Sequence, residues 1–256
     1  GRRIFTGLSA CFEKVDRLII LEDDCLPSPS FFPFCEELLE KYKDDDRVGL
    51  ITGMNHLNEY NEINADYLFS EVGSIAGWAT WKRSWDMTSF DLNVIAENDE
   101  AMRNLKMYQS FAHTRNSIYD NVVSKKKILD NGGKLTSWST QFGATQVLNS
   151  KLIIAPRVNL MSNIGLTEES ANSVSNIKLV PRGMRHLYKL KLFELDFPLK
   201  HPKYVFNDIE YTKKVDRLMR PNKFISKYRR LESIFLRIIH GDTKRLVKNI
   251  KRKIFH

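Results

Sequence analysis

The sequence predicts an α/β fold. Strand-length apolar runs alternate along the chain with segments of helical periodicity. One run, Leu18-Ile19-Ile20-Leu21, is continuously apolar and partly β-branched, the pattern of a strand buried on both faces in a parallel sheet. That run ends in three consecutive carboxylates, Glu22-Asp23-Asp24. With 256 residues and 42% hydrophobic content the chain can bury a sizeable core. It carries no internal repeat and no low-complexity segment.

The elements follow in order. A helix over residues 3–14 feeds the strand before the acidic triplet. Ser30 can cap the next helix, whose apolar positions Phe31, Phe34, Cys35, Leu38, Leu39 and Tyr42 recur at helical spacing. Asp44-Asp45-Asp46 follows, and acidic residues at a helix C-terminus oppose its dipole and help stop it. Val48–Thr52 reads as a buried strand from which Gly53-Met54-Asn55-His56 turns away, and Tyr67–Ser70 as a short strand before a tryptophan-rich loop. Helices are predicted over 99–112 and 116–131, the second closed by Gly132-Gly133. A further helix spans 137–148, and a strand over Leu152–Ala155 is stopped by Pro156.

Charge is uneven. Residues 201–256 hold 16 Lys and Arg against 5 Asp and Glu, a net of +11, whereas residues 1–200 are near neutral at −2. Within the basic part Ile225, Tyr228, Leu231, Ile234, Phe235, Ile238 and Ile239 recur at helical spacing among Lys and Arg. The reading is a globular unit over 1–210 and a basic amphipathic helical tail over 211–256. Such a helix either lies on an anionic membrane surface or packs on its own domain with a solvated basic face. Nucleic acid is disfavoured as a partner, because no recognised binding module accompanies the charge. No stretch approaches the ~18 apolar residues of a spanning helix. The three cysteines, Cys11, Cys25 and Cys35, are odd in number and show no zinc-ligand spacing. They point to reduced thiols and a cytoplasmic setting, peripheral on the inner face of the membrane.

The acidic triplet carries the chemistry. Open α/β sheets place ligands just beyond the carboxyl ends of their strands. Three adjacent carboxylates repel one another unless a cation sits among them or water screens them. Carboxylate oxygens suit a hard divalent ion, which can in turn hold a diphosphate; the alternative is a solvated acidic loop. In extended backbone Glu22 and Asp24 share a face and Asp23 points away, so one triplet could address two parts of a ligand.

The stretch Ile20-Leu21-Glu22-Asp23-Asp24-Cys25-Leu26-Pro27-Ser28-Pro29-Ser30-Phe31-Phe32 resembles the signature of GT-A nucleotide-sugar glycosyltransferases, bacterial relatives of the N-acetylglucosaminyltransferase I type that carry EDD in place of DxD. Gly77-Trp78-Ala79-Thr80-Trp81-Lys82-Arg83-Ser84-Trp85 and Pro156-Arg157-Val158-Asn159-Leu160-Met161-Ser162-Asn163-Ile164-Gly165 strengthen the resemblance, which covers roughly residues 1–210. It implies a Rossmann-like mixed sheet flanked by helices. It also implies metal-dependent transfer of a sugar from a nucleoside diphosphate, a UDP-sugar, to the hydroxyl of a glycan or lipid-linked acceptor in bacterial surface polysaccharide biosynthesis. In that reading Asp24 is the direct ligand of Mn²⁺ or Mg²⁺, Glu22 and Asp23 hold the donor's ribose and sugar, and Gly77, Trp78, Trp81 and Asn163 belong to the acceptor side. The tryptophans have an equally ordinary reading as core residues.

The sequence also departs from that pattern. Ser139 and Gln141, in Trp138-Ser139-Thr140-Gln141, stand where relatives carry the catalytic motif, and Ser139 occupies the position of the usual aspartate base. A serine hydroxyl is too weak a base for that role at neutral pH. If a base exists, Asp86 and Asp91 near the tryptophan loop are the substitutes the sequence offers. Asn172 stands where relatives often show a histidine. His56, His113 and His186 read as ordinary residues. The helix at residue 3 leads straight into the triplet strand, so the family's upstream strands, which cradle the nucleotide base, are expected to be missing and the base pocket incomplete. These departures favour a second expectation: a non-catalytic glycan- or nucleotide-binding remnant, or a membrane-associated scaffold, on the same fold.

Overall fold

A computed structural model describes residues 1–111, 118–165, 176–188, 190–219 and 223–241. The described elements are α1 (Arg2–Phe12), β1 (Arg17–Ile20), β2 (Cys25–Pro27), α2 (Phe31–Lys41), β3 (Val48–Thr52), β4 (Tyr67–Ser70), β5 (Trp78–Trp81), α3 (Lys82–Trp85), α4 (Asn93–Ala96), α5 (Asp99–Phe111), α6 (Ile118–Asp130), α7 (Ser139–Leu148), β6 (Leu152–Pro156), β7 (Met161–Asn163), α8 (Ile209–Met219) and α9 (Lys223–Ile239), with 3₁₀ turns at Ile177–Leu179 and Arg182–Tyr188. Asn172, His113 and residues 242–256 lie outside the described residues.

The fold is α/β: a mixed five-stranded sheet in the order β1-β5-β3-β6-β4, flanked by helices. Among the described strands β3 and β6 pair in parallel, and the β1–β5, β3–β5 and β4–β6 ladders are antiparallel. It follows that β1, β3 and β6 run in one direction, and their carboxyl ends share a rim with the amino ends of β5 and β4. A separate two-stranded ladder, β2 against β7, stands on that rim and pairs Cys25 with Asn163 and Pro27 with Met161.

Helix α2 forms for the reason its spacing predicts. Phe31, Phe34, Cys35, Leu38 and Leu39 are all buried, and they pack on one face of the sheet with Ile51, Phe69, Trp81, Ile154 and Leu160. On the opposite face α1 and α7 enclose Phe12, Leu50, Trp78, Trp85, Trp138 and Phe142, with Leu18 and Ile20 packed against them. Burying side chains of this size stabilises by about 1.5–3 kcal/mol each.

Several expectations need correction. β1 is an edge strand, half-buried and antiparallel to its one strand partner, not a central parallel strand. Its apolar run is explained by helices: Leu18 and Ile20 face the α1 side, and Ile19 faces the α2 cluster. The strand ends at Ile20, and Leu21 is exposed. The tryptophan loop is the strand β5. Ser30 holds the N-cap position of α2 without a side-chain cap; its hydroxyl donates to Glu194 Oε2 and accepts from Leu195 N–H at 3.0 Å. Pro156 remains inside β6, paired with Tyr67 on the edge strand β4. Finally, the break placed at 210/211 falls within α8, whose Tyr211 and Val215 join Tyr60, Leu68, Val72 and Ala155 in a buried cluster. No helix among the described residues is long and apolar enough to cross a membrane.

Candidate functional site

The backbone leaves β1 at Ile20 and turns rather than continuing extended. Cys25 N–H donates to Glu22 C=O at 3.1 Å, and the chain then enters the β2–β7 ladder. The strand alternation predicted for Glu22, Asp23 and Asp24 therefore does not apply: the triplet sits on a turn. The turn exposes Glu22 and Asp23 and leaves Asp24 half-buried. No lysine, arginine or histidine among the described residues forms an ion pair with the triplet. Glu22 as a residue reaches solvent, but its carboxyl is partly desolvated. That desolvation raises its pKa, and the charges of Asp24 and Asp23 raise it further.

Asp24 is the anchored member. Asn163 Nδ2 donates to its Oδ2 at 2.9 Å, and Ile164 N–H donates to its backbone carbonyl at 2.8 Å. Gly165 N–H donates to Asn163 Oδ1 at 2.9 Å, which orients the amide. A Cβ on Gly165 would lie 2.4 Å from Asp24 Oδ2, so only glycine fits beside the carboxylate. The structure thus joins two predicted residues, Asp24 and Asn163, which are 139 positions apart in sequence.

The strand carrying Asn163 is itself held by a buried amide that sequence reading did not single out. Asn159 is fully buried; its Oδ1 accepts from Asn55 N–H at 2.9 Å, and its Nδ2 donates to the carbonyls of Met161 and Lys191. Gly77 lies beneath this ladder with φ +67°, and a Cβ there would meet Met161 Cε at 2.1 Å. Its carbonyl accepts from Gly53 N–H at 2.9 Å. The absence of a Cβ at Gly77 is what lets the Met161 side chain pack against this turn.

The remaining predicted residues lie elsewhere. Trp78 is 1% exposed and packs on Trp138 and Phe142 at centroid distances of 5.8 and 5.3 Å. Trp81, 3% exposed, faces the other side of the sheet, donates from Nε1 to Leu39 C=O at 2.9 Å, and is covered by the Arg83 guanidinium. Neither ring offers a face to a sugar; both are core residues. Gln141 is fully buried, with Nε2 donating to Phe90 C=O at 3.0 Å and Oε1 unpartnered. Ser139 begins α7, and its hydroxyl is 2.6 Å from that of Ser137. No hydrogen bond among the described residues joins Ser139 or Gln141 to the triplet. Asp86 pairs with Lys82 and lines a groove with Asp16 and Arg17, at the amino end of β1 and hence the far end from the triplet. Asp91 accepts from Asn93 N–H at 3.0 Å on the surface.

Ser139 lines a different space, a cavity of about 560 Å³ between the β3–β6 face, residues 71–75 and α5–α7. Glu71, Ser74, Tyr108 and Gln146 also line it, and Tyr108 Oη donates to Glu71 Oε2 at 3.2 Å. Glu71 is a carboxylate that sequence reading missed; its place directly after β4 was the available signal. Cys25 flanks the triplet as a free thiol whose pKa burial raises, and Cys11 and Cys35 are free as well.

Among the described residues no group of three or more His, Cys, Asp or Glu side chains converges as a protein-only metal cage would. The donor set fits a looser arrangement. Adjacent carboxylates without a cationic partner can take part of a hard ion's oxygen shell, while a phosphate ligand and water supply the rest. No protein-family model matches the chain, and no curated protein matches it.

Proposed function

We propose that this chain binds a nucleoside diphosphate sugar at the Glu22–Asp24 turn and acts as a metal-dependent glycosyltransferase of the GT-A type. The observation that carries the reading is Asp24: a carboxylate on the rim at the carboxyl end of β1, held by Asn163, crowded by Gly165, and set beside two further carboxylates that have no cationic partner among the described residues. Mn²⁺ or Mg²⁺, held by Asp24, supplies charge neutralisation for a departing diphosphate when bound. The chain's own contribution is placement. Asn163 fixes one oxygen of Asp24 and Gly165 fixes the amide, so Asp24 reaches a cation with little reorganisation. Glu22 and Asp23 are exposed for hydrogen bonds to donor hydroxyls. The acceptor is a glycan or lipid-linked hydroxyl, carried over from the sequence resemblance.

One observation favours a second reading, a nucleotide- or glycan-binding protein without turnover. Ser139 stands at the position of the family's base, and the substitutes near the tryptophan stretch, Asp86 and Asp91, are engaged elsewhere. Titration calorimetry separates the cases. The wild type is expected to bind UDP with Mn²⁺ present, and Asp24→Asn to bind about tenfold more weakly, a difference of about 1.4 kcal/mol. Equal affinities would remove Asp24 from the site. UDP release from a panel of UDP-sugars then decides between the readings: binding without release assigns the non-catalytic one.

A further inference from the structure

Among the described contacts, helix α9 meets the body through the face that carries Arg229, Glu232 and Leu236. Leu236 is its buried apolar residue, Glu232 Oε1 accepts from Arg182 N–H at 3.2 Å, and the Arg229 guanidinium donates to Leu218 and Gly183 carbonyls at 3.4 Å. At about 100° per residue, positions 229, 232 and 236 share one face of the helix. About a quarter-turn away lies a second face made of Phe224, Tyr228, Leu231, Phe235, Ile238 and Ile239, spaced by four, three, four, three and one residues. These six side chains are 58% to 86% exposed. A helix that buried its apolar face on its own domain would hide them; here the body takes the neighbouring face instead. A contiguous apolar stripe of this extent marks an interaction surface.

Charge selects the partner. Lys227 and Arg230 are exposed on the flank of the stripe away from the body, and residues 201–256 carry 16 basic against 5 acidic side chains. A second copy packed antiparallel on the stripe would bring the basic flanks of the two helices to the same side, which like-charge repulsion opposes. A stripe of aromatic and aliphatic residues with a basic edge, on a helix unable to span, matches the boundary of an anionic bilayer.

We propose that α9 is a membrane-surface helix, its Phe224–Ile239 stripe lying in the headgroup–acyl boundary of an anionic bilayer and its basic flank facing lipid phosphates. The proposal does not rest on the glycosyltransferase reading. Each basic residue held at such a surface strengthens binding roughly fivefold, and the attraction falls with salt as charges are screened.

Co-sedimentation of the full chain with phosphatidylcholine vesicles, alone or mixed with phosphatidylglycerol, tests it. Binding is expected only to the mixed vesicles and falls at high salt. Lys227→Glu with Arg230→Glu is expected to weaken it about 25-fold or more, and Leu231→Glu with Phe235→Glu to abolish it. Because Trp78, Trp81, Trp85 and Trp138 are all buried, Phe235→Trp adds a reporter at the stripe. Its emission should shift to the blue on mixed vesicles and be quenched by brominated lipid, even if the doubly charged variants misfold. A wild type that ignores anionic vesicles at low salt overturns the proposal. So does undiminished binding by a folded Leu231→Glu, Phe235→Glu variant, which would assign adsorption to basic residues elsewhere. A dimer in ultracentrifugation that this variant dissolves, without lipid binding by the wild type, would assign the stripe to a second copy.

Discussion

His56 sits in the turn that leaves β3, and its Nδ1 is enclosed without a hydrogen-bond partner. Desolvation, with a smaller push from His186, lowers its pKa from 6.5 to about 4. Between those values the unfolded chain holds a proton that the folded chain does not, so folding stability rises with pH across this window and is lost as pH falls through it. Urea melts at pH 7.5 and pH 5 should therefore differ by about 2 kcal/mol for this group alone. His56→Asn should remove most of the difference. Burial also lowers the pKa of His186 and His201, which leaves a shallower acid loss in the variant. An unchanged acid loss in His56→Asn would show that His56 does not carry the effect.

At the scale of elements, β5 joins the two parallel-running strands β1 and β3 by pairing antiparallel with both. Its entry depends on Gly77, where φ is +67° and the space for a Cβ is filled by Met161. Gly77→Ala is expected to cost about 2 kcal/mol or more, combining left-handed strain with displacement of Met161. Met161 begins the strand that carries Asn163, so the same substitution should weaken UDP–Mn²⁺ binding through Asp24. Urea denaturation measures the first effect and calorimetry the second. A cost below about 0.5 kcal/mol would mean that the turn relaxes and that β5 does not depend on it.

The whole molecule is closed by α8, not by α9. Tyr211 Oη donates to Asn55 Oδ1 at 3.3 Å and the Thr212 hydroxyl is 2.9 Å from that of Ser70, so α8 is tied to both β4 and the turn after β3. A chain ended at residue 221 should keep a single cooperative melt. A chain ended at residue 207 exposes Tyr60, Leu68 and Val72 and should lose stability on the scale of large core truncations, about 3–5 kcal/mol or more. Calorimetry of the two lengths decides the matter: if the longer one also loses its transition, α9 belongs to the core.

Apolar periodicity is local, and it made several elements legible in the sequence. The stripe Phe31–Tyr42 follows from positions that turn inward at a period of 3.6, β3 and β4 are mostly apolar runs buried throughout, and the helix predicted over 137–148 is present as Ser139–Leu148. The triplet at the end of β1 was legible for the same reason. Neighbouring residues in sequence do not carry the rest. Four apolar residues look alike whether strands or helices cover them, so the edge position of β1 was decided by α1 and α2. Trp78 and Trp81 could have faced a sugar or a core until α7 and α2 closed over them. Asn163 against Asp24, Glu71 lining one cavity with Ser139, and the distance of Asp86 from the triplet are long-range relations. Pairing of β2 with β7 sets the first, the packing of α7 on the β3–β6 face beside β4 sets the second, and the direction of β1 sets the third; no local pattern encodes which segments meet. The sequence by itself determined the alternating α/β elements and the acidic triplet at the end of β1; only the tertiary structure decided that the triplet sits on a turn and which side chains stand beside it, because chain pairing rather than local period brings them there.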